Sequence, residues 1–270
     1  MPVLLAAVLL GVVQGLTEFL PVSSSAHLIL ARAFFGWDDR GFGLAFDVAT
    51  HVGTLLAIVV YFRDDILGMA RALPGALTGT DADSRRVRLV AIGTIPVVIV
   101  GGLFADVIEA HVRTPQVTAV TLAVGAVLFM VVERFGAQWR QDDRGMSVAQ
   151  ALIFGVAQSA ALVPGVSRSG ATITAGMAMG FTRAGAARFG FLLGVPAILA
   201  AAAKEALEFR HTGLAPGDAT LFMVGGVTAF VVGYLTIRFF MRFLANHRLD
   251  VFAWYRLGLA AAVAIWLLGR

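Results

Sequence analysis

Residues 3–34 read VLLAAVLLGVVQGLTEFLPVSSSAHLILARAF, an apolar run interrupted at Pro21-Val22-Ser23-Ser24-Ser25. Residues 148–182 read VAQALIFGVAQSAALVPGVSRSGATITAGMAMGFT, interrupted at Pro164-Gly165-Val166-Ser167-Arg168-Ser169-Gly170. A helix needs about 20 apolar residues to cross a bilayer, and each half-run offers about a dozen. Neither half crosses alone. Irregular backbone at membrane depth is tolerated only where it is buried in protein or lines a wet cavity. Both stretches therefore predict re-entrant helix–break–helix hairpins.

The remaining chain agrees. Of 270 residues, 59% are hydrophobic and 14% charged, with mean hydropathy +0.84; a soluble domain is about a quarter charged. That excludes a cytosolic enzyme, a disordered chain and a disulfide-stapled secreted domain. With no Cys, it also excludes a thiolate metal site. Six stretches read as full spans: roughly 43–62, 88–107, 116–133, 187–203, 218–237 and 250–269. Residues 2–13 resemble a signal h-region but lack a preceding Lys or Arg and a cleavage site, so they are expected to be retained. The predicted fold is all-α: one integral membrane domain over 1–270, six transmembrane helices and two re-entrant hairpins.

The halves also echo one another. Gly11-Val12-Val13-Gln14 recurs as Gly155-Val156-Ala157-Gln158, and Gly53-Thr54-Leu55-Leu56-Ala57 as Gly194-Val195-Pro196-Ala197-Ile198. Ile92-Gly93 and Gly101-Gly102 echo Val224-Gly225 and Val232-Gly233. One unit, a hairpin plus three spans, is expected twice, at about 1–135 and 148–270. Three spans is an odd number, so the second copy would be inverted, with the functional site at the repeat interface.

The net charge of +4 comes from 20 Arg and one Lys against 17 acids. These bases lie at the ends of apolar runs rather than on one face, which argues orientation in a membrane and no nucleic-acid partner. Thirteen loop arginines, from Arg63 to Arg248, fall on one side. Arg32, Arg40, Arg113, Lys204, Arg210 and Arg270 fall on the other. The positive-inside rule places the first group in the cytoplasm. Arg168 and Arg256 stand inside apolar stretches.

Ionisable groups at membrane depth are costly and point to function. Glu18 lies four residues after Gln14, on the same helix face, at the negative end of its half-helix. A bound cation or a nearby Arg would relieve it; an ion pair with Arg168 and no ligand is the alternative. Ser23, Ser24 and Ser25 open the next half-helix, whose free N–H groups suit a phosphate. Ser24 and His27, three apart, form a nucleophile–base pair in outline, whereas Ser23 and Ser25 read as caps. In the second break, Arg168 flanked by Ser167, Ser169 and Thr172 has the donors to hold an anion; alternatively it satisfies carbonyls freed by the break. If the hairpins meet tip to tip, their helix N-termini and Arg168 converge opposite Glu18 and His27, an arrangement suited to phosphoryl chemistry.

Other polar residues carry less. Asp47 and His51 line an entrance or pair on a helix surface. Asp106, Glu109, Glu133, Glu205 and Glu208 read as solvated span ends. Trp37, Trp254 and Tyr255 suit an interfacial belt, and Trp139 has no reading.

The stretch Gln14 to His27, together with Pro164 to Thr172, closely resembles the two signature motifs of bacterial undecaprenyl-diphosphatase, the family also known for bacitracin resistance. The likeness extends through Arg188-Phe189 and Leu193-Gly194-Val195-Pro196. It implies hydrolysis of undecaprenyl diphosphate to the monophosphate, which recycles the lipid carrier of peptidoglycan synthesis. It also implies a divalent cation (Mg²⁺ or Ca²⁺) and a bacterial inner-membrane protein whose site faces the periplasm. By resemblance Glu18 serves the metal or the acid–base step, Ser24 or His27 the attack, and Ser167, Arg168 and Thr172 the diphosphate. Gln14, where the family often has Glu, would orient Glu18 or a water. Ser24 activated by His27 is the preferred route, with phospho-histidine or direct water attack open. The other function class is an inverted-repeat lipid flippase or transporter, separable by phosphate release. Membrane lipids are expected partners, and a homodimer is admitted without being specified.

Overall fold

In the computed structural model, residues 3–37, 42–135, 145–212 and 217–269 are described. Arg40, Arg140, Arg144, Arg270 and Trp139 lie outside them, as do the side chains of Glu109, Glu208 and Arg210. The chain runs α1 (Val3–Thr17), α2 (Ser24–Phe35), α3 (Leu44–Tyr61), α4 (Arg63–Ala72), α5 (Ala82–Val112) and α6 (Pro115–Phe135). The second half follows as α7 (Val148–Ala160), α8 (Arg168–Ala178), α9 (Arg183–Thr212), α10 (Asp218–Asn246) and α11 (Asp250–Leu268).

Among the described residues six helices (α3, α5, α6, α9, α10 and α11) are long and apolar enough to cross a membrane, matching the six expected spans. Four exceed the predicted windows, α6 by only three residues and α5, α9 and α10 by more than a turn, because more polar turns extend them. Helix α5 starts at Ala82 rather than 88, since the Asp81 carboxylate accepts from the Ser84 N–H at 2.9 Å and caps a first turn that carries Asp83. Helix α4, which no apolar pattern announces, buries none of its residues.

Both interrupted stretches are helix–break–helix. Helix α1 stops at Thr17, and Pro21 cannot continue it because its nitrogen carries no hydrogen. Helix α2 ends at Gly36, whose φ of 62° needs a residue without Cβ. Each second half-helix starts from a serine of positive φ: Ser23 (φ 73°, ψ 99°) and Ser167 (φ 73°, ψ 117°). Among the described residues these are the only non-glycine positions with positive φ. Such backbone is strained by about 1–3 kcal/mol and persists where its surroundings over-determine it.

The halves interlock. Helix α1 packs on α10, and α7 packs on α5. A Cβ on Gly11 would stand 2.6 Å from the Gly225 carbonyl oxygen, and one on Gly155 would come closer still to that of Gly93. The two glycine crossings use the residue pairs that echo in sequence. A large apolar core joins α3, α9 and α10 around Phe19, Phe191 and Phe240.

Two expectations are corrected. Glu133 is not solvated: its side chain is 0% exposed and accepts from Arg183 Nε at 2.7 Å and from the Leu249 N–H at 2.8 Å. Burial without those donors would be costly, so the pairing ties α6 to the starts of α9 and α11. Trp37 is buried against Phe35, with ring centroids 4.7 Å apart, rather than sitting in an exposed belt. Asp106 is exposed, as expected, and lies 3.4 Å from Lys204.

Candidate active site

The breaks present two capped helix N-termini side by side. The Ser23 hydroxyl accepts from the Ala26 N–H at 3.4 Å, and that of Ser167 from the Gly170 N–H at 3.1 Å. Each also meets the serine two residues on, Ser25 at 3.2 Å and Ser169 at 3.1 Å. The tips touch where Ser169 Oγ donates to the Leu20 carbonyl at 3.1 Å.

Glu18 is the centre, 6% exposed. Its Oε2 accepts from Gln14 Nε2 at 2.9 Å and from Ser24 Oγ at 2.6 Å, and its Oε1 is ion-paired with Arg168. His51 Nε2 stands 3.4 Å from Oε2. Glu18, Ser23, Ser24, Ser25, His51, Ser167 and Arg168 line one cavity of about 300 Å³ that extends to Asp47 and Arg113. Gly194 makes room for the arginine: a Cβ there would lie 2.6 Å from Arg168 Nη1.

His27 is not beside Ser24. Its Nδ1 bonds the Ser23 carbonyl at 2.7 Å, and its Nε2 meets the Tyr255 hydroxyl at 2.7 Å, in a separate apolar groove against α11. Three helical residues turn through 300°, so Ser24 and His27 diverge by about 60° around α2. That divergence sends one side chain toward Glu18 and the other toward Tyr255. The imidazole that does reach the cavity is His51. Its Nδ1 bonds the main-chain oxygen of Asp47 at 2.7 Å, while the Asp47 carboxylate pairs with Arg32 and Arg113. Asp47 and His51 thus share a helix face without a side-chain pair.

Thr172 does not line the cavity. Its hydroxyl is turned back to the Arg168 carbonyl at 2.8 Å, the i−4 bond common for Thr in helices. Ser169 likewise braces the tips instead of facing the cavity.

Three carbonyls freed by the breaks are taken by Arg256, not Arg168. Arg256 is 0% exposed and donates to Pro21 O at 3.1 Å, Gly165 O at 3.0 Å and Val166 O at 3.2 Å. On α6 it reaches Thr121 O at 3.1 Å and Leu122 O at 3.2 Å. One guanidinium with five donors therefore clamps both tips to α6. The sequence signal was an arginine inside an apolar span; which carbonyls it meets depends on three distant segments.

Comparison with known proteins shows the family. An undecaprenyl-diphosphatase of Rubrobacter xylanophilus is 49% identical over 269 residues, covering 98% of each chain. An undecaprenyl-diphosphatase 2 of Stutzerimonas stutzeri is 44% identical, covering 98% of this chain and 99% of its own. One of Streptomyces coelicolor is 42% identical, covering 96% and 93%. Residues 7–262 match the model of the bacitracin resistance protein BacA family, and the chain belongs to that family.

Proposed function

We propose that this protein hydrolyses undecaprenyl diphosphate to undecaprenyl phosphate and inorganic phosphate in the cavity between the two breaks. One observation carries the reading: a serine hydroxyl donates at 2.6 Å to a buried carboxylate whose other oxygen is held by an arginine lining the same cavity. Full-length likeness to proteins named undecaprenyl-diphosphatase supports the substrate.

Ser24 Oγ attacks the terminal phosphorus, and its proton passes to Glu18. The bridging P–O bond breaks and undecaprenyl phosphate leaves. Glu18 gives up that proton with the departing undecaprenyl phosphate. Water then attacks the phosphoserine, passing its proton to Glu18, which returns it to Ser24 Oγ as the phosphorus–serine bond breaks and inorganic phosphate leaves. Arg168 and the N–H groups at the two helix starts stabilise the equatorial charge. With five donors, Arg168 can keep Glu18 and take a phosphoryl oxygen together.

The residues also suit a hard divalent cation. Gln14 Oε1 is buried without a partner beside Glu18, and the two would be its oxygen ligands. Among the described residues no group of three or more His, Asp or Glu is assembled to hold a metal, so substrate phosphates would complete the set, as Mg²⁺ commonly requires. When bound, the ion neutralises diphosphate charge.

We place the chain in the bacterial inner membrane as two inverted repeats with re-entrant hairpins. The matched serine breaks and glycine crossings support the repeat. The cavity reaches Asp47 and Arg113, on the side with fewer loop arginines, which supports opening to the periplasm. Because the chain has no Cys, an Arg113→Cys variant should react with an impermeant maleimide from the periplasm.

The test is phosphate release from undecaprenyl diphosphate by purified protein in detergent, with and without chelator. Turnover lowered by about 10²-fold or more in Ser24→Ala is expected. Substrate binding without phosphate release by the wild type would favour a carrier instead.

A further inference from the structure

We propose that Gln158, on α7, contacts the diphosphate directly. Gln158 is 2% exposed, and neither amide atom has a hydrogen-bond partner. It lines the same cavity as Glu18, Ser24 and Arg168. Buried side-chain amides are almost always partnered, so an amide with both atoms unpartnered in a cavity wall is missing a partner that the cavity can hold.

The matching position in the first half identifies that occupant. Gln14 aligns with Gln158, and Gln14 Nε2 donates to a carboxylate four residues on, Glu18. Four residues after Gln158 stands Leu162, so the second amide has no carboxylate of its own. An anion is therefore absent where the first half carries one. The neighbouring break brings Arg168, a further anion donor, to the same cavity. A phosphate oxygen accepting from Gln158 Nε2 supplies the missing charge, and a water ordered by that phosphate can donate to Oε1. Gln158 is thus a specificity residue for the diphosphate, on the opposite hairpin from the attacking serine.

The inference rests on the hydrolase reading, and two arms separate them. Gln158→Leu keeps the side-chain volume and removes two unpartnered polar atoms, so the variant should melt at or above the wild-type temperature. Its kcat/KM for undecaprenyl diphosphate should nevertheless fall at least tenfold, mainly through KM. Gln158→Glu, of the same shape but acceptor-only, should fall further. In the second arm, farnesyl methylenediphosphonate, which cannot be hydrolysed at its bridging carbon, should bind Gln158→Leu at least tenfold more weakly than wild type. Wild-type kcat/KM and diphosphonate affinity in Gln158→Leu would overturn the inference while leaving the hydrolase reading intact. A wild type that binds the diphosphonate but releases no phosphate would overturn the hydrolase reading and leave the binding arm to decide on Gln158. No binding and no turnover by wild type would overturn both.

Discussion

The Ser24 hydroxyl donates to Glu18 Oε2 at 2.6 Å across the first break, joining the end of α1 to the start of α2. A proton acceptor is thus already in contact with the proposed nucleophile. Ser24→Ala should lower kcat by about 10²-fold or more, the usual scale for losing a positioned proton-transfer pair. Folding should persist, since Ser23 and not Ser24 caps the helix. Single-turnover phosphate release and thermal melting in detergent check the two halves of this expectation.

Gly194→Ala should separate activity from stability. The added methyl meets the end of the Arg168 side chain, 2.6 Å from Nη1, rather than backbone. The guanidinium can swing away, so the melting temperature should hold. Displacing a catalytic group by about an ångström costs on the order of 100-fold in rate. A Gly194→Ala protein with wild-type kcat/KM would show that Arg168 needs no such precision.

Arg256→Met should act in the opposite sense, on the fold first. It leaves the break carbonyls of Pro21, Gly165 and Val166 without their donor and removes the tie to Thr121 and Leu122, whose carbonyls keep their bonds within α6. Each buried group left unpaired costs about 1–3 kcal/mol. A large drop in melting temperature is expected, with protease cleavage appearing near residues 21 and 165. Arg256→Lys should recover only part of this, because one ammonium cannot reach five carbonyls.

His27 and Tyr255 should behave as a unit. The tyrosine hydroxyl is 2.7 Å from Nε2, and the other ring nitrogen holds the Ser23 carbonyl at 2.7 Å. Loss of either residue loosens the start of α2 and, through it, Ser24. His27→Gln and Tyr255→Phe should each reduce turnover, and the double variant should be no worse than the stronger single one. A double-mutant cycle on kcat/KM measures that coupling; additive losses would contradict it.

Gly11→Val and Gly155→Val should both destabilise, because each side chain would strike a carbonyl oxygen on the facing helix. Overpacking of this kind costs roughly 1–3 kcal/mol, and more where backbone must move. Similar losses at the two sites would be expected from crossings of the same design, and melting of the two variants side by side tests it.

Hydropathy length alone located the six long helices, and the two interruptions were visible as proline and serine inside apolar runs. Those are local properties: a dozen apolar residues cannot cross, and proline cannot continue a helix, whatever lies nearby. Glu18, Ser24 and Arg168 were also legible, since an ionisable group in an apolar run must find a partner or a task. For Glu18 the Arg168 partner was legible as well; for Ser24 the partner was not. Ser24 and His27 are three apart in sequence, yet a 60° difference around α2 turned one to Glu18 and the other to Tyr255, 228 residues away. His51 entered the cavity, Thr172 left it, and Arg256 took carbonyls that the sequence also offered to Arg168. Each of these outcomes depends on the packing of α3, α6 or α11 against the breaks. Apolar periodicity states that a helix has neighbours without saying which, so the elements were decided by the chain locally and the site's pairings by tertiary contact.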